Sequence, residues 1–180
     1  MLYFHKELKE KLKSDYQIQK SVSNKEYFKI EKGLYSDVEF VNPLEIICKK
    51  YPNAIFTSDS AYYYYDLTDV IPNYFCLATK RTDTRINDKN IKQIFIPNEM
   101  LDLGKTQIEI ENTIINIYNE ERMLVELIRK KNTIPFDYYK EIISNYRKRK
   151  DKLDIYKIQE YISYYKNEIS LYDTLMREVY

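Results

Sequence analysis

The chain is poor in glycine, histidine and cysteine, and each shortage removes a class of chemistry. Two glycines in 180 residues cannot build a phosphate-cradling loop or a dinucleotide fingerprint, which need several glycines together so that backbone can approach the phosphates. His5 is the only histidine, so no Ser-His-Asp or Cys-His arrangement forms unless that residue serves. On a surface helix it reads as decoration. Cys48 and Cys76 are too few for a disulfide framework, and with His5 they supply three of the four ligands of a structural zinc site. Both cysteines sit in apolar surroundings, EIICKK and NYFCLA, and read as buried thiols of a cytoplasmic protein. No run approaches the ~18 apolar residues of a membrane span. The opening MLYFHKELKEK lacks the apolar stretch and cleavage site of a secretory signal. The expectation is a cytoplasmic protein with no membrane partner, no metal and no other cofactor.

What the chain does contain is enough apolar residue, 44%, to bury a core, and 32% charged residues to solvate it. The net charge of +1 excludes a general polyanion binder, so any nucleic-acid contact must be local. Lysine clusters at Lys6 to Lys13, the stretch Lys80 to Lys92 is basic on balance, and RKRKD begins at Arg147.

Periodicity then divides the chain. Leu8 and Leu12 mark a helix from Tyr3 to Leu12, and Ile18 and Val22 mark a second from Tyr16 to Ser23, capped by Ser14 or Asp15. Tyr27 to Tyr35 reads as a two-stranded ribbon turning at Gly33, a position calling for positive φ. Asn42-Pro43 opens a helix whose apolar face is Leu44, Ile47 and Cys48. A buried strand, Ala54 to Phe56, leads through Thr57-Ser58-Asp59 into a helix from Ser60 to Leu67. Tyr74 to Thr79 and Ile91 to Ile96 read as strands flanking a basic loop, and Thr106 to Ile110 with Ile114 to Tyr118 as a hairpin turning at Asn112. From Asn119 onward the pattern is helical, with segments from Glu120, Pro135, Ile155 and Ile169. The expected architecture is α+β: a reduced amino-terminal winged helix-turn-helix over residues 1–40, then a mixed α/β domain over 41–180 ending in a helical bundle.

Carboxylate pairs are the remaining route to catalysis. Asp66 with Asp69, or Glu109 with Glu111, could hold a magnesium ion, but IEIENTI lacks the Glu-x-Lys of common restriction-type nucleases. Glu109 and Glu111, two apart on a strand, share one face, read as solvent-exposed. A metal-dependent nuclease is the weakest reading; a non-enzyme is expected.

The polar helix carries more. With Ile18 and Val22 inward, its outer face presents Ser14, Tyr16, Gln17, Gln19 and Lys20. Glutamine can pair with adenine edges in the major groove, while serine, tyrosine and lysine suit phosphates. Lys25, Lys29 and Lys32 lie along the ribbon, placed for flanking backbone. The competing reading is an ordinary solvated helix beside a hairpin. Lys80, Arg81 and Arg85 in the later loop offer a contact for a protein or RNA partner, or simple solvation. Arg147 to Lys152 reads as positive charge complementing a helix end.

Taken together, KELKEKLKSDYQIQKSVSNKEYFKIEKGLYSD resembles the amino-terminal part of the AbiEi family antitoxins of bacterial abortive-infection (type IV toxin–antitoxin) systems. There a helix-turn-helix is followed by a wing ending in a basic residue, glycine, an aliphatic residue and tyrosine, as in KGLY here. The resemblance continues through KKYPNAIFTSDSAYYYYDLTDVIP, MLDLG and IYNEERMLVELIRKKNTIPFDYYKEIISNYRKRKDK, and so covers nearly the whole chain. It implies an antitoxin and autorepressor that binds inverted repeats in operator DNA and neutralises a cognate nucleotidyltransferase toxin. By position, Ser14 to Ser23 matches the recognition helix and Lys29, Lys32 and Gly33 the wing. Glu121 and Arg122 match a glutamate-arginine pair read as capping and tethering a helix start. Family members carry a further helix before the stretch matching KELKEKLKS. Without it apolar surface is left uncovered, so that a partner chain covers it or DNA binding is weakened. Asp59 stands where relatives often have histidine. The alternative to a DNA-binding antitoxin is a protein- or RNA-interaction module that does not grip DNA.

Overall fold

Leu2, Tyr3 and Phe4 form a strand, β1, where periodicity had placed the start of the first helix. Three large apolar residues beside an amphipathic helix carry the same local pattern in either state. Pairing decides: β1 runs antiparallel to β3 (Leu34–Ser36), with Leu2 opposite Ser36 and Phe4 opposite Leu34. The computed structural model describes residues 1–180 and shows an α+β protein with eight helices and two sheets. It divides into two units, Met1–Pro52 and Asn53–Tyr180.

In the amino-terminal unit α1 spans His5–Leu12, and the Glu7 carboxylate accepts the Phe4 backbone N–H at 2.7 Å. Lys13, left-handed at φ 69°, breaks the helix. Ser14 then caps α2 (Asp15–Ser23), its hydroxyl oxygen accepting the Gln17 N–H at 3.2 Å, a contact worth about 1 kcal/mol. Strand β2 (Phe28–Glu31) turns through Lys32 and Gly33 into β3 and completes a sheet ordered β1-β3-β2. Gly33 has φ +83° and open space where a Cβ would stand, so backbone conformation alone selects glycine. Its carbonyl accepts the His5 N–H at 2.8 Å.

The side chain of Asn42 caps α3 (Pro43–Lys50) through the Leu44 N–H at 2.9 Å, with Pro43 in the first turn where its missing N–H costs nothing. This helix packs on β1. Leu2, Leu8, Ile18, Leu34, Leu44 and Ile47 are each at most 8% exposed. The core of this unit thus takes Leu44 and Ile47 from α3 as well as residues of the first two helices and the sheet.

The carboxy-terminal unit is built on a mixed five-stranded sheet ordered β6-β5-β4-β8-β7. Its strands are β4 (Ile55–Phe56), β5 (Phe75–Lys80), β6 (Ile91–Ile96), β7 (Lys105–Ile110) and β8 (Thr113–Tyr118). Helix α4 runs Ser58–Tyr64, earlier than the Ser60 to Leu67 read from the capping cluster. Asp66 at φ 52° turns the chain and the Leu67 N–H bonds back to the Tyr62 carbonyl at 2.9 Å. The β7–β8 hairpin turns through Glu111 and Asn112, both at positive φ, so Glu111 leaves the strand and does not share a face with Glu109.

Helices α5 (Glu120–Arg129), α6 (Phe136–Arg149), α7 (Ile155–Ser163) and α8 (Glu168–Glu178) follow. Every residue from Arg122 to Ile128 is buried, not just the stripe Met123, Leu124, Leu127 and Ile128, because α4, α7 and α8 all pack on α5. No helix is long and apolar enough to cross a membrane.

Candidate functional site

The outward face of α2 follows from which residues the core takes. Ile18 and Ser21 are buried and Val22 half-buried, which turns Tyr16, Gln17, Gln19 and Lys20 to solvent on the opposite arc. Tyr16 is 69% exposed. Ser14 differs from its neighbours: its hydroxyl is committed to the helix cap, so it shapes the start of α2 and is only half exposed. Lys29 on β2 and Lys32 in the turn are both exposed.

The charge pattern of the unit separates two kinds of lysine. Lys9 bonds Asp15 at 2.6 Å, Lys49 lies 2.7 Å from Glu7, and Lys50 lies 2.9 Å from Glu31. The hydrogen bond from Lys9 lowers the Asp15 carboxyl from its usual range, and that from Lys49 does the same for Glu7. His5 is not decoration: its Nε2 stands 3.0 Å from Asp15, joining the starts of α1 and α2. Lys11 bonds the Tyr3 hydroxyl at 3.2 Å and sits over the Tyr3 and Tyr27 rings. Lys20, Lys25, Lys29 and Lys32 enter no such pair and stay exposed. Glu7, Asp15 and Glu31 are spent on structure, while the lysines of α2 and the hairpin keep their charge free.

Lys80, Arg81 and Arg85 are likewise exposed, on a loop that is tied down rather than loose. The Asp83 carboxylate accepts the Lys80 N–H at 3.0 Å, and the Ile96 carbonyl accepts the Arg81 N–H at 2.9 Å. Gln93 holds the far end: its amide donates to Thr79 at 2.8 Å and to the Thr84 carbonyl at 3.1 Å, and accepts the Ile86 N–H at 2.7 Å. Arg85 thereby enters a groove of about 480 Å³ with Tyr74, Ile91, Lys92 and Phe95, whereas Lys80 and Arg81 lie outside it. Sequence reasoning missed Tyr74, Lys92 and Phe95; the alternation of apolar and polar residues along β6 was the available signal.

No group of three or more His, Cys, Asp or Glu residues is placed to hold a metal ion. Cys76 is buried and Cys48 only half-buried, and burial raises both thiols above their ordinary range. Glu121 tethers as expected of it, its carboxylate accepting the Asp154 N–H at 3.2 Å. Arg122 does not cap the helix; Asn119 does, accepting the Arg122 N–H at 2.9 Å. The guanidinium of Arg122 is instead buried, bonded to Glu126 at 3.1 Å and set against the rings of Tyr118 and Tyr165. Compared with known proteins, the chain matches no family model and no curated protein.

Proposed function

We propose that the chain is a non-enzymatic antitoxin of the type IV abortive-infection kind, which represses its own operon by binding inverted repeats and neutralises a nucleotidyltransferase toxin. The observation that carries the DNA half is the exposed polar face of α2 together with the unpaired Lys20, Lys29 and Lys32. A strand, two helices and a two-stranded ribbon in a sheet ordered β1-β3-β2 support its reading as a reduced winged helix. On this reading Gln17 and Gln19 reach base edges, Tyr16, Lys20 and the hairpin lysines contact phosphates, and Ser14 sets the helix start. The toxin half rests on the resemblance of the motifs running from Lys49 to Lys152.

A gel shift with the chain's own promoter at moderate salt tests the assignment. Gln17→Ala with Lys20→Ala is expected to abolish the shifted band while leaving the unfolding midpoint in place; unaltered binding removes α2 as the recognition helix. The groove at Arg85, Tyr74 and Phe95 favours a second reading, a protein- or RNA-interaction module without DNA binding. Rescue from the toxin by residues 53–180 alone would favour that reading; rescue that also needs Met1–Pro52 counts against it.

A further inference from the structure

Two features of the molecule are left unexplained by DNA binding. The first is a cleft on α6. Tyr139 and Ile143, each 3% exposed, form its floor, and the ring of Phe136, 63% exposed, stands at its edge. These residues recur at three- and four-residue spacing and so share one face of the helix. Arg147 on the same face and Arg177 at the end of α8 enclose a volume of about 570 Å³. Lys131 and Lys140 add two more cations to the rim, against a single carboxylate, Glu178. That carboxylate is already taken by the Lys131 ammonium and the Tyr139 hydroxyl, and Arg147 Nε donates to the Glu178 backbone carbonyl. Lys140 rests over the Phe136 ring at 4.4 Å and forms no salt bridge, while the charge of Arg177 is felt by Glu178 without a salt bridge between them. The cleft is apolar below and cationic above.

The second feature lies between β3 and α3. Phe40 is 88% exposed and Val38 is 48% exposed, with Glu39 between them and solvent-facing. An aromatic side chain held almost wholly in water, beside an unpaired acid, has the opposite chemistry to the cleft. A nucleic-acid strand would match the rim but has no use for the aliphatic Ile143 floor. An acidic, apolar segment matches both.

We infer that Val38–Phe40 of one copy of this chain docks in the α6–α8 cleft of a second copy, with Phe40 on Tyr139 and Ile143 and Glu39 between Lys140 and Arg177. The occupant is a second copy because the complementary segment is present in the chain itself. The inference is independent of the DNA-binding reading.

Sedimentation velocity on the full chain, from micromolar to submillimolar concentration, tests it. Reversible association is expected. Phe40→Ala and Lys140→Glu should each weaken it by about tenfold or more. Both positions are exposed, so neither change threatens folding. Combining Glu39→Lys with Lys140→Glu should restore association to within a few-fold of the parent, an outcome that mere structural damage would not give. A chain that stays monomeric over the range overturns the proposal, and so does association indifferent to Phe40→Ala. An oligothymidylate that binds the monomer and loses affinity with Lys140→Glu would assign the cleft to nucleic acid and overturn it equally.

Discussion

In Met1–Pro52 the ion pairs Lys9–Asp15, Lys49–Glu7 and Lys50–Glu31 leave their carboxylates about half exposed, whereas Asn53–Tyr180 takes Arg122 and Glu126 almost completely out of water. Surface pairs of the first kind are screened and contribute about 0–1 kcal/mol each. A pair of the second kind stabilises only while both partners remain, because a lone buried charge has nothing to replace its hydration. In the carboxy-terminal unit Glu126 is also held by Arg129 at 2.7 Å and by the Tyr165 hydroxyl at 2.6 Å, while two guanidinium nitrogens of Arg122 have only aromatic faces beside them. The contrast is one of depth: the ion pairs of the first unit stay at its surface, beside the unpaired Lys20, Lys29 and Lys32, while Arg122 and Glu126 of the second are consumed in its interior.

The largest expected effect comes from breaking that internal network. Glu126→Ala should cost about 3–5 kcal/mol in urea unfolding, since it strands Arg122 in the core. A cost under about 1 kcal/mol would mean that water reaches the guanidinium. Acid should act on the same carboxylate. Burial pushes Glu126 up, but Arg129, Arg122 and the Tyr165 hydroxyl outweigh it, and the net position is below the ordinary carboxylate range. A depressed folded value means stability present above the unfolded value of about 4.3 and lost as pH falls below it. Glu126→Gln should flatten that acid limb in unfolding followed against pH.

The two glycines sharpen the comparison next. Gly104 has φ +72°, and a Cβ there would stand 2.8 Å from Arg122 Cβ and 3.0 Å from Asn119 Oδ1. Gly33 meets nothing within 4 Å. Gly104→Ala therefore combines left-handed strain with overpacking and should cost about 2–4 kcal/mol, against about 1 kcal/mol for Gly33→Ala. Equal losses in thermal unfolding would show that the neighbourhood of Arg122 yields as easily as open solvent.

The smallest stability effects belong to the exposed lysines, where function should move instead. Lys29→Ala and Lys32→Ala are expected to change stability by less than about 0.5 kcal/mol. Each should reduce the slope of log affinity against log salt by about 1 if it neutralises one phosphate. An unchanged slope in binding titrations would leave the hairpin as scaffold only.

Much of this was legible in the chain. Ser14 before Tyr16-Gln17-Ile18 and Asn42 before Pro43 announce helix starts because capping chemistry is local, and Gly33 between strand-like runs announces a turn for the same reason. The exposed face of α2 followed once Ile18 and Val22 were placed inward. Strand β1 was hidden because its identity depends on a partner some thirty residues away, which no local period reports. The Arg122–Glu126–Tyr165 network was hidden similarly: charged residues in a helical pattern read as solvated until α7 and α8 close over them. The groove at Arg85 needed Gln93 to fold the loop back, a single side chain with three bonds.

The bond from the His5 amide to the Gly33 carbonyl stitches the tip of the hairpin to the first turn of α1. A flap anchored at its far end cannot wander on its own, so little disorder remains to be frozen out when a ligand arrives. Slow deuterium uptake at the His5 amide, matching that of the helix behind it, is the mark such a preset arm should leave.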